Sequence, residues 1–164
     1  MSDAPNPYGE DLGALEARVS LRSTPTAIVR IVDGLGSKGL ERSLAPGKWT
    51  AAEILVHLAQ VETMFQARLR LGLATPGIAL QPFDQDDFMR TGGTHDGRAA
   101  LEAYVGLRRF ALPLIDRLTA AELATPMRHA DYGDVSVGWL LAWCAGHERR
   151  HLKQLEALAA QSSR

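Results

Sequence analysis

Two histidines four residues apart, His147 and His151, are the residues of this sequence best suited to chemistry. Four residues of an α-helix advance by about 400° and about 6 Å, so both imidazoles lie on one side of the helix. Apolar residues recur around them at steps of three or four, which places both histidines on the inward face. Such a pair can bind one metal ion, whereas without an ion each imidazole needs its own buried hydrogen-bond partner. The pair therefore favours a metal site, with packed, hydrogen-bonded histidines as the alternative.

A third histidine, His57, stands on a similar apolar stripe of an earlier helix, between Ile54 and Val61. Three imidazoles from two facing helices would leave open positions on the metal for water or substrate, and a metal lowers the pKa of bound water. Spacing alone does not separate this role of His57 from simple packing. Cys144 lies one turn before His147 on the same face and is the alternative third ligand. A small buried side chain is the simpler interpretation of this cysteine.

The segment His147–His151 also matches the H-E-x-x-H pattern of zinc proteases. Those enzymes take their third ligand from downstream, yet the 13 residues after His151 contain neither histidine nor aspartate. Glu156 follows in the same helix, only five residues further on. The protease interpretation is therefore disfavoured, and a third ligand has to come from upstream. Glu148 projects about 100° away from His147, so it is a candidate general base, with a salt-bridged glutamate as the alternative.

Composition and charge exclude several classes of protein. A chain of 164 residues predicts one domain with a full core, and 18 basic against 19 acidic residues give no reason to expect nucleic acid or an anionic membrane as partner. No apolar stretch approaches the roughly 20 residues needed to span a bilayer, and the N-terminus lacks the features of a secretory signal. Cys144, the single cysteine, fits a reducing compartment. We expect a cytoplasmic protein with a flexible N-terminus over residues 1–10 and one domain over 11–164.

Helical periodicity predicts four long helices that position these residues. The first covers 11–35, and Ser23-Thr24-Pro25 suggests that it consists of two pieces that meet near residue 24. It ends at Gly34 and Gly36. The second covers 50–72, from the capping box that begins at Thr50 to a stop at Gly72. The third covers 97–118, kinked or shortened by Pro113, and the fourth covers 137–160, capped by Ser136. A second capping box begins at Thr119, and no segment gives a strong strand signal.

The second and third helices are joined by a long loop, residues 73–95, which could serve as a lid or pocket wall. Its acidic residues and the two remaining histidines are expected to be solvated: Asp84, Asp86, Asp87, His95 and His129. His129 could alternatively touch a substrate. Arg68 lies on the stripe of His57 and could receive an anionic group at the mouth of the bundle, or extend into solvent. Gln154, about one turn after His151, could reach the site. These elements predict an all-α four-helix bundle with one long crossover connection.

Three segments resemble the DinB/YfiT-like superfamily: Lys48–Glu62, His129–Leu141 and Gly146–Leu155. Chain length, helix order and the long loop before the third helix also fit, so the resemblance covers nearly the whole chain. It implies a four-helix bundle in which three histidines bind a divalent metal, here His57, His147 and His151. An acidic residue is common three positions after the first of these histidines, whereas this chain has Gln60. Whatever that acid does in the family is therefore in question here.

The resemblance also implies a range of functions. Characterised members include S-transferases and isomerases that use low-molecular-weight thiols, others are named only as metal-dependent hydrolases, and many have no assigned activity. We expect a metal-dependent enzyme that activates a thiol or water against a small electrophile, because metal coordination favours the reactive thiolate. A non-catalytic metal-binding stress-response protein is the alternative. Zinc, nickel, iron, manganese and copper all accept imidazoles, and a homodimer is one expected assembly.

Overall fold

The computed structural model describes residues 4–91 and 96–162, and it confirms the helical bundle. Four long helices and shorter connecting elements follow one another along the chain. They are α1 (Gly9–Leu12), α2 (Ala17–Leu40), α3 (Ala51–Ala74), α4 (Gln85–Thr91), α5 (Gly97–Arg117), α6 (Ala120–Leu123), β1 (Pro126–His129), β2 (Gly133–Ser136) and α7 (Val137–Ser162). The bundle consists of α2, α3, α5 and α7. None of the helices in the described ranges is long and apolar enough to cross a bilayer.

The order of the helices around the bundle differs from their order along the chain. Helix α2 packs against α7 and α5, and α3 packs against α5 and α7. The consecutive helices α2 and α3 therefore lie across a diagonal, and α5 and α7 form the other diagonal. This arrangement makes α3 and α7 direct neighbours although about 60 residues of chain separate them. The predicted ligands belong to these two helices, so the topology decides whether they can meet.

The predicted helix starts are confirmed at three capping residues. Thr50 and Thr119 each accept a hydrogen bond from the backbone three residues on, and the glutamate at that position returns one to the cap backbone. Ser136 caps α7 by accepting a hydrogen bond from Trp139 N at 3.1 Å. Asp96 caps α5 in the same way, accepting from Arg98 N and Ala99 N. These side chains satisfy amide groups that a helix leaves free in its first turn.

The predicted helix break near residue 24 is wrong. The chain breaks earlier, at Gly13 with φ 62°, and α2 then continues through Pro25. Pro25 has no N–H, so the Leu21 carbonyl has no donor within the helix. Arg108 of α5 supplies the donor, with Nη1 at 2.9 Å from that oxygen. The predicted interruption at the glycines is confirmed, because Gly36 leaves helical geometry with φ 63° before one further turn ends at Leu40.

The third predicted helix, 97–118, is confirmed, since α5 runs through Pro113 to Arg117 and is not shortened by the proline. The predicted end of the second helix is displaced. Helix α3 passes Gly72 and ends at Ala74, so Gly72 is not its C-terminal stop. A Cβ at Gly72 would collide with the side chain of Met127 on β1. The glycine therefore serves the close approach of the hairpin to α3.

The region expected to be loop contains regular structure. Part of the predicted loop 73–95 forms α4, and residues 126–136 form an antiparallel hairpin, with Met127 opposite Val135. The preceding loop lies alongside β1, where Leu80 N donates to the Arg128 carbonyl at 2.8 Å and Arg128 N donates to Ile78 O at 2.9 Å. The sequence carries no strong signal for these two strands. Strands of four residues carry too little alternation to be recognised against a helical background.

The core consists of two apolar clusters separated by a polar layer. One cluster contains Leu21, Phe65, Leu69, Ile115 and Leu140, near the hairpin, and the other contains Ile28, Leu55, Tyr104, Leu152 and Leu155. Between them along the long helices lie buried polar residues: His57, Glu62, Arg108, His147, Glu148 and His151. Buried polar groups require partners. The partners of these side chains are therefore to be found within the layer or in cavities beside it.

The N-terminal segment packs across α7 beside this layer. Ala4 O accepts a hydrogen bond from Trp139 Nε1 at 2.7 Å, and Asp11 accepts from Arg150 Nε at 2.9 Å and Lys153 Nζ at 2.8 Å. The close contact is permitted by Gly146, because a Cβ there would overlap the Tyr8 backbone. The predicted flexibility of residues 1–10 stays a prediction, and residues 1–3 lie outside the described part of the chain.

Candidate metal site

The structure brings His57 of α3 together with His147 and His151 of α7. Their side chains are buried, with 1%, 3% and 6% of their surface exposed. The Nε2 atom of His147 lies 3.0 Å from Nε2 of His57 and 3.1 Å from Nε2 of His151. All three residues offer a ligand atom within 4.8 Å of the others, so together they could hold a metal ion.

The second ring nitrogens of the three histidines have different partners. His151 Nδ1 lies 2.8 Å from Gln154 Oε1. Because an amide oxygen only accepts, this contact places a proton on Nδ1 and leaves Nε2 as the lone pair that faces the other histidines. Among the residues that the structure describes, His57 Nδ1 and His147 Nδ1 are buried without a hydrogen-bond partner. Gln154 was considered from the sequence, and the structure shows the contact through which it reaches the site.

The donor set fits a divalent metal ion. Three ring nitrogens that point at one another cannot all be satisfied by shared protons, because a neutral imidazole has only one N–H. A metal ion would accept all three lone pairs at once. Nitrogens on a tetrahedral zinc ion are separated by about 3.3 Å, given Zn–N bonds of roughly 2.0–2.1 Å. The measured separations of 3.0 and 3.1 Å are close to that value.

The three imidazoles are neutral at physiological pH. Burial, with a contribution from His151, lowers the pKa of His57 to about 3. Burial also lowers the pKa of His151 to about 4, against the raising effect of its hydrogen bond to Gln154. The pKa of His147 lies well below its ordinary value because of burial, the two neighbouring histidines and Arg150. A neutral imidazole is the form that binds metal, so the site is ready for an ion without first losing protons.

Aromatic rings enclose the histidines. Trp143 stacks on His147 with ring centres 5.2 Å apart, and the Tyr8 ring meets the same imidazole edge-on at 5.1 Å. Trp49, which precedes α3, lies 4.8 Å from His57 and 6.3 Å from His151 between ring centres. None of these aromatic residues was predicted as part of the site. The sequence signal was available for Trp143, which stands four residues before His147 and therefore on the same helix face.

Two cavities open onto the histidines from different sides. The larger, of about 610 Å³, is lined by His147 and His151 together with Trp49, Arg150 and Gln154. The smaller, of about 290 Å³, is lined by His57 and His147 and extends toward the hairpin. Tyr8 and His147 line both cavities. A small molecule in either cavity would be next to the position where the metal would be held.

Glu148 is buried in an ion pair with Arg108. The guanidinium of Arg108 also binds Glu62, with Nη2 at 2.5 Å from Oε2, and Cys144 Sγ lies 3.6 Å from Glu148 Oε1. Burial lowers the pKa of Arg108, but the carboxylates of Glu148 and Glu62 outweigh it and hold that pKa well above its ordinary value. Glu148 is not among the described residues that line the two cavities beside the histidines. This geometry supports the salt-bridged alternative, and the catalytic role of Glu148 stays a prediction.

Cys144 and Gln60 lie outside the histidine cluster. Cys144 is fully buried beside Arg108, and burial raises the pKa of its thiol. It forms part of the ion-pair network, so the simpler sequence interpretation of a small buried residue matches its position. Gln60 Nε2 donates to the Phe88 carbonyl at 3.1 Å and thereby attaches α4 to α3.

His129 and the acidic run differ from the sequence prediction. His129 is in β1 rather than a loop, is only 7% exposed, and lines the smaller cavity. The prediction that it is solvated is therefore wrong, because the hairpin folds against α3 and α7. Asp84, Asp86 and Asp87 are exposed as predicted, but they begin α4, where Asp84 accepts from two backbone amides. His95 lies outside the described residues.

The family model of the DinB superfamily matches residues 20–155, and the chain therefore belongs to the DinB superfamily. The resemblance found in the sequence is confirmed. The matched range includes all three histidines and every long helix except the ends of the first and last.

Several relatives and one solved structure share most of this chain. Two proteins of Oceanobacillus iheyensis and one of Geobacillus kaustophilus bear the name "Putative metal-dependent hydrolase". The first is 22% identical over 143 residues, covering 84% of this chain and 81% of the relative. The second is 24% identical over 133 residues, which cover 80% of this chain and 77% of the relative. The third is 24% identical over 142 residues, which cover 85% of this chain and 80% of the relative.

The solved structure is that of YfiT from Bacillus subtilis, described as "a probable metal-dependent hydrolase with an unusual four-helix bundle topology". It matches with a TM-score of 0.80 and 19% sequence identity, and the match covers 90% of this chain and 86% of the YfiT chain. This likeness establishes the fold.

Proposed function

We propose that His57, His147 and His151 bind a divalent transition metal. The protein is then a metal-dependent enzyme that acts on a small molecule, and hydrolysis is the reaction we favour. The observation that carries the proposal is the convergence of three buried, neutral Nε2 atoms at the meeting point of two cavities. The names of the relatives as metal-dependent hydrolases support the same class.

The residues of this chain would prepare the site as follows. Gln154 holds the His151 tautomer whose Nε2 faces the centre, and Trp143 and Trp49 keep water away from the imidazole faces. The bound metal would supply Lewis-acid chemistry, lowering the pKa of a bound water or polarising a bound carbonyl or phosphoryl oxygen. Because three protein ligands leave at least one position open, that water or oxygen can reach the metal through either cavity.

Transfer of a low-molecular-weight thiol is the second candidate reaction. The observation that favours it is the larger cavity of about 610 Å³, which adjoins His147 and His151 while the smaller one adjoins His57 and His147. A substrate and a thiol co-substrate can therefore be accommodated separately. Metal coordination would favour the thiolate, which is the nucleophilic form. A non-catalytic metal-binding protein is the outcome in which neither reaction is found.

Metal analysis of protein purified without an affinity tag tests the site. We expect about one first-row metal ion per chain, an increase in melting temperature on adding zinc, nickel or manganese, and loss of both in His57→Ala and His147→Ala. His129→Ala is the control, because His129 is buried nearby but outside the cluster, and it should retain the metal. Circular dichroism of each variant shows whether the bundle is intact. Wild-type protein that neither contains nor is stabilised by metal would refute the proposal.

Activity assays then separate the reactions. Metal-loaded protein is incubated with simple esters and amides, and separately with small electrophiles plus a thiol. Hydrolysis that is lost in His147→Ala supports the first reaction, and conjugation that needs both metal and thiol supports the second. Metal binding without either activity would contradict the enzymatic part of the proposal and leave the non-catalytic alternative.

A further inference from the structure

The smaller cavity contains a buried guanidinium that forms no ion pair with a described residue; the charge of Asp131, at the rim of the same cavity, acts on it only through space. Arg68 of α3 is 94% buried and lines this cavity together with His57 and His147. Its Nη2 donates to the Gln81 carbonyl at 2.5 Å, while its Nε is buried and has no hydrogen-bond partner in the described part of the chain. Across residues 4–91 and 96–162, no Asp or Glu carboxylate lies within ion-pair distance of Arg68.

A charge in this position is costly unless something neutralises it. Burial disfavours the charged guanidinium and lowers the pKa of Arg68, against the raising effect of the Asp131 carboxylate, yet arginine remains protonated in proteins. The buried arginine elsewhere in this bundle, Arg108, is paired with two carboxylates. Arg68 has instead a cavity beside it, which is the arrangement expected where an external anion supplies the missing charge.

His129 offers a second donor in the same cavity. Its Nδ1 accepts the backbone N–H of Asp131 at 3.1 Å, so the neutral ring carries its proton on Nε2. The ring packs against Tyr132 and Trp139, with centres 4.8 and 5.9 Å away, which fixes its plane. Arg68 and His129 therefore bring a positive charge and a hydrogen-bond donor to one wall of the cavity.

We propose that Arg68 and His129 form a subsite for a small oxyanion group, a carboxylate or a phosphate, on the molecule that reacts at His57, His147 and His151. This inference rests on the proposed metal-dependent function and names the substrate class: a small anionic compound. Arg68 anchors the anion at one end of the cavity, and the reacting group then lies toward the histidines at the other. Neither residue needs to take part in the reaction, so both are positioning residues.

Acidic residues at the rim oppose anion binding and provide a control. Asp84, Asp86 and Asp131 line the same cavity but are exposed. Asp84 accepts the amide protons of Asp86 and Asp87, and the 80% exposed carboxylate of Asp131 lies 3.8 Å from His129 Nδ1. Removing the charge of Asp131 should therefore tighten anion binding. If Asp131 instead swings inward to neutralise Arg68, an added anion would not stabilise the wild type, and anion binding would be found only in Asp131→Asn.

The test measures anion binding to chelator-treated, metal-free protein and to zinc-loaded protein. Acetate, succinate and inorganic phosphate are titrated into wild type, Arg68→Gln, Arg70→Gln and Asp131→Asn, and melting temperature and calorimetric affinity are recorded. Arg70 is the matched control, because it lies two residues further along α3, is half-buried, and pairs with Gln66. Comparing the carboxylates with phosphate distinguishes the two sources of the oxyanion group.

We expect at least one anion to stabilise metal-free wild type, Arg68→Gln to weaken that binding about tenfold or more, and Arg70→Gln to match wild type. Asp131→Asn should bind more tightly. Equal anion binding by wild type and Arg68→Gln, or no binding by wild type, would overturn the inference. Arg68→Met, which keeps the volume without the charge, should melt no lower than wild type in anion-free buffer. Because the metal-free protein is measured separately, failure of this subsite is distinguishable from failure of metal binding.

Discussion

At the scale of single residues, the orientation of His151 depends on Gln154. The amide oxygen of Gln154 lies 2.8 Å from His151 Nδ1, whereas the Nδ1 atoms of the other two histidines are buried and no described residue is their hydrogen-bond partner. Side chains that orient a metal-binding histidine through its second nitrogen strengthen metal binding. Gln154 should therefore affect the metal although it does not contact it.

We predict that Gln154→Leu weakens metal binding about 10–100-fold. The leucine fills a similar volume but cannot accept a hydrogen bond from the Nδ1–H group, so the His151 ring loses its fixed tautomer and plane. Competition with a chromogenic chelator measures the dissociation constant, and Glu156→Leu, at an exposed position of α7, is the control. Unchanged affinity in Gln154→Leu would show that packing alone orients His151.

The pair His147 and His151 was predictable from the sequence because both stand on an apolar helical stripe, whereas the stripe of His57 left its role open and only the family resemblance implied that it joins them. Arg108 was overlooked although the same signal was present. It occupies a core position in a series with steps of three or four residues: Leu101, Tyr104, Arg108, Ala111 and Ile115. Arg68 was noticed on the stripe of His57, but nothing in the sequence indicates that it forms no ion pair with a described residue, because pairing depends on the loop and hairpin packed beside it.

At the scale of elements, the N-terminal segment and α7 fit together through Gly146. Tyr8 packs over Trp143 and His147, and its backbone occupies the space where a Cβ of residue 146 would stand. Asp11 then fixes the following turn to Arg150 and Lys153. The segment thus forms part of the wall of both cavities.

We predict that Gly146→Ala displaces the N-terminal segment without damaging α7. Alanine favours a helix by roughly 0.5–1 kcal/mol over glycine, so the helix itself does not suffer, but the added Cβ meets the backbone of Tyr8. Hydrogen exchange at Leu12 and Gly13, whose amides are bonded to Tyr8 and Gly9, should become faster. Gly106→Ala is the control, because no atom would lie within 4 Å of its Cβ. Unaltered exchange would contradict the prediction.

The helices could be predicted from the sequence where a local signal decides the structure, as at the capping boxes of Thr50 and Thr119. Elements decided by distant contacts could not. Pro25 looked like a helix start, but Arg108 satisfies the carbonyl it leaves free, so the helix continues. The hairpin is likewise stabilised by pairing with the loop before α4, a contact between residues 78–80 and Arg128 that no local pattern reveals.

At the scale of the whole molecule, Arg108 connects all four helices of the bundle. From α5 it binds Glu62 on α3, Glu148 on α7 and the Leu21 carbonyl on α2. The sequence predicted four helices but not that α2 and α3 lie on a diagonal, because helix order in a bundle depends on how the connections pack. The central position of Arg108 follows from this diagonal order.

We predict that Arg108→Met destabilises the protein by ~3–5 kcal/mol, because it leaves two buried carboxylates without their cation. Urea unfolding monitored by circular dichroism measures the loss. Arg109→Met, at the exposed neighbouring position, should change stability by no more than about 0.5 kcal/mol. Comparable unfolding midpoints for the two variants would mean that the carboxylates are neutralised in another way.

The link between Pro25 and Arg108 has a consequence for how this family diverges. Pro25 leaves the Leu21 carbonyl without a donor in the helix, and Arg108 donates a hydrogen bond to that oxygen. Without Arg108, the Leu21 oxygen would be buried with no donor as long as position 25 is proline. A homologue that replaces Arg108 is therefore expected to lack the proline as well, and an alignment of the superfamily should show this dependence between two positions 83 residues apart.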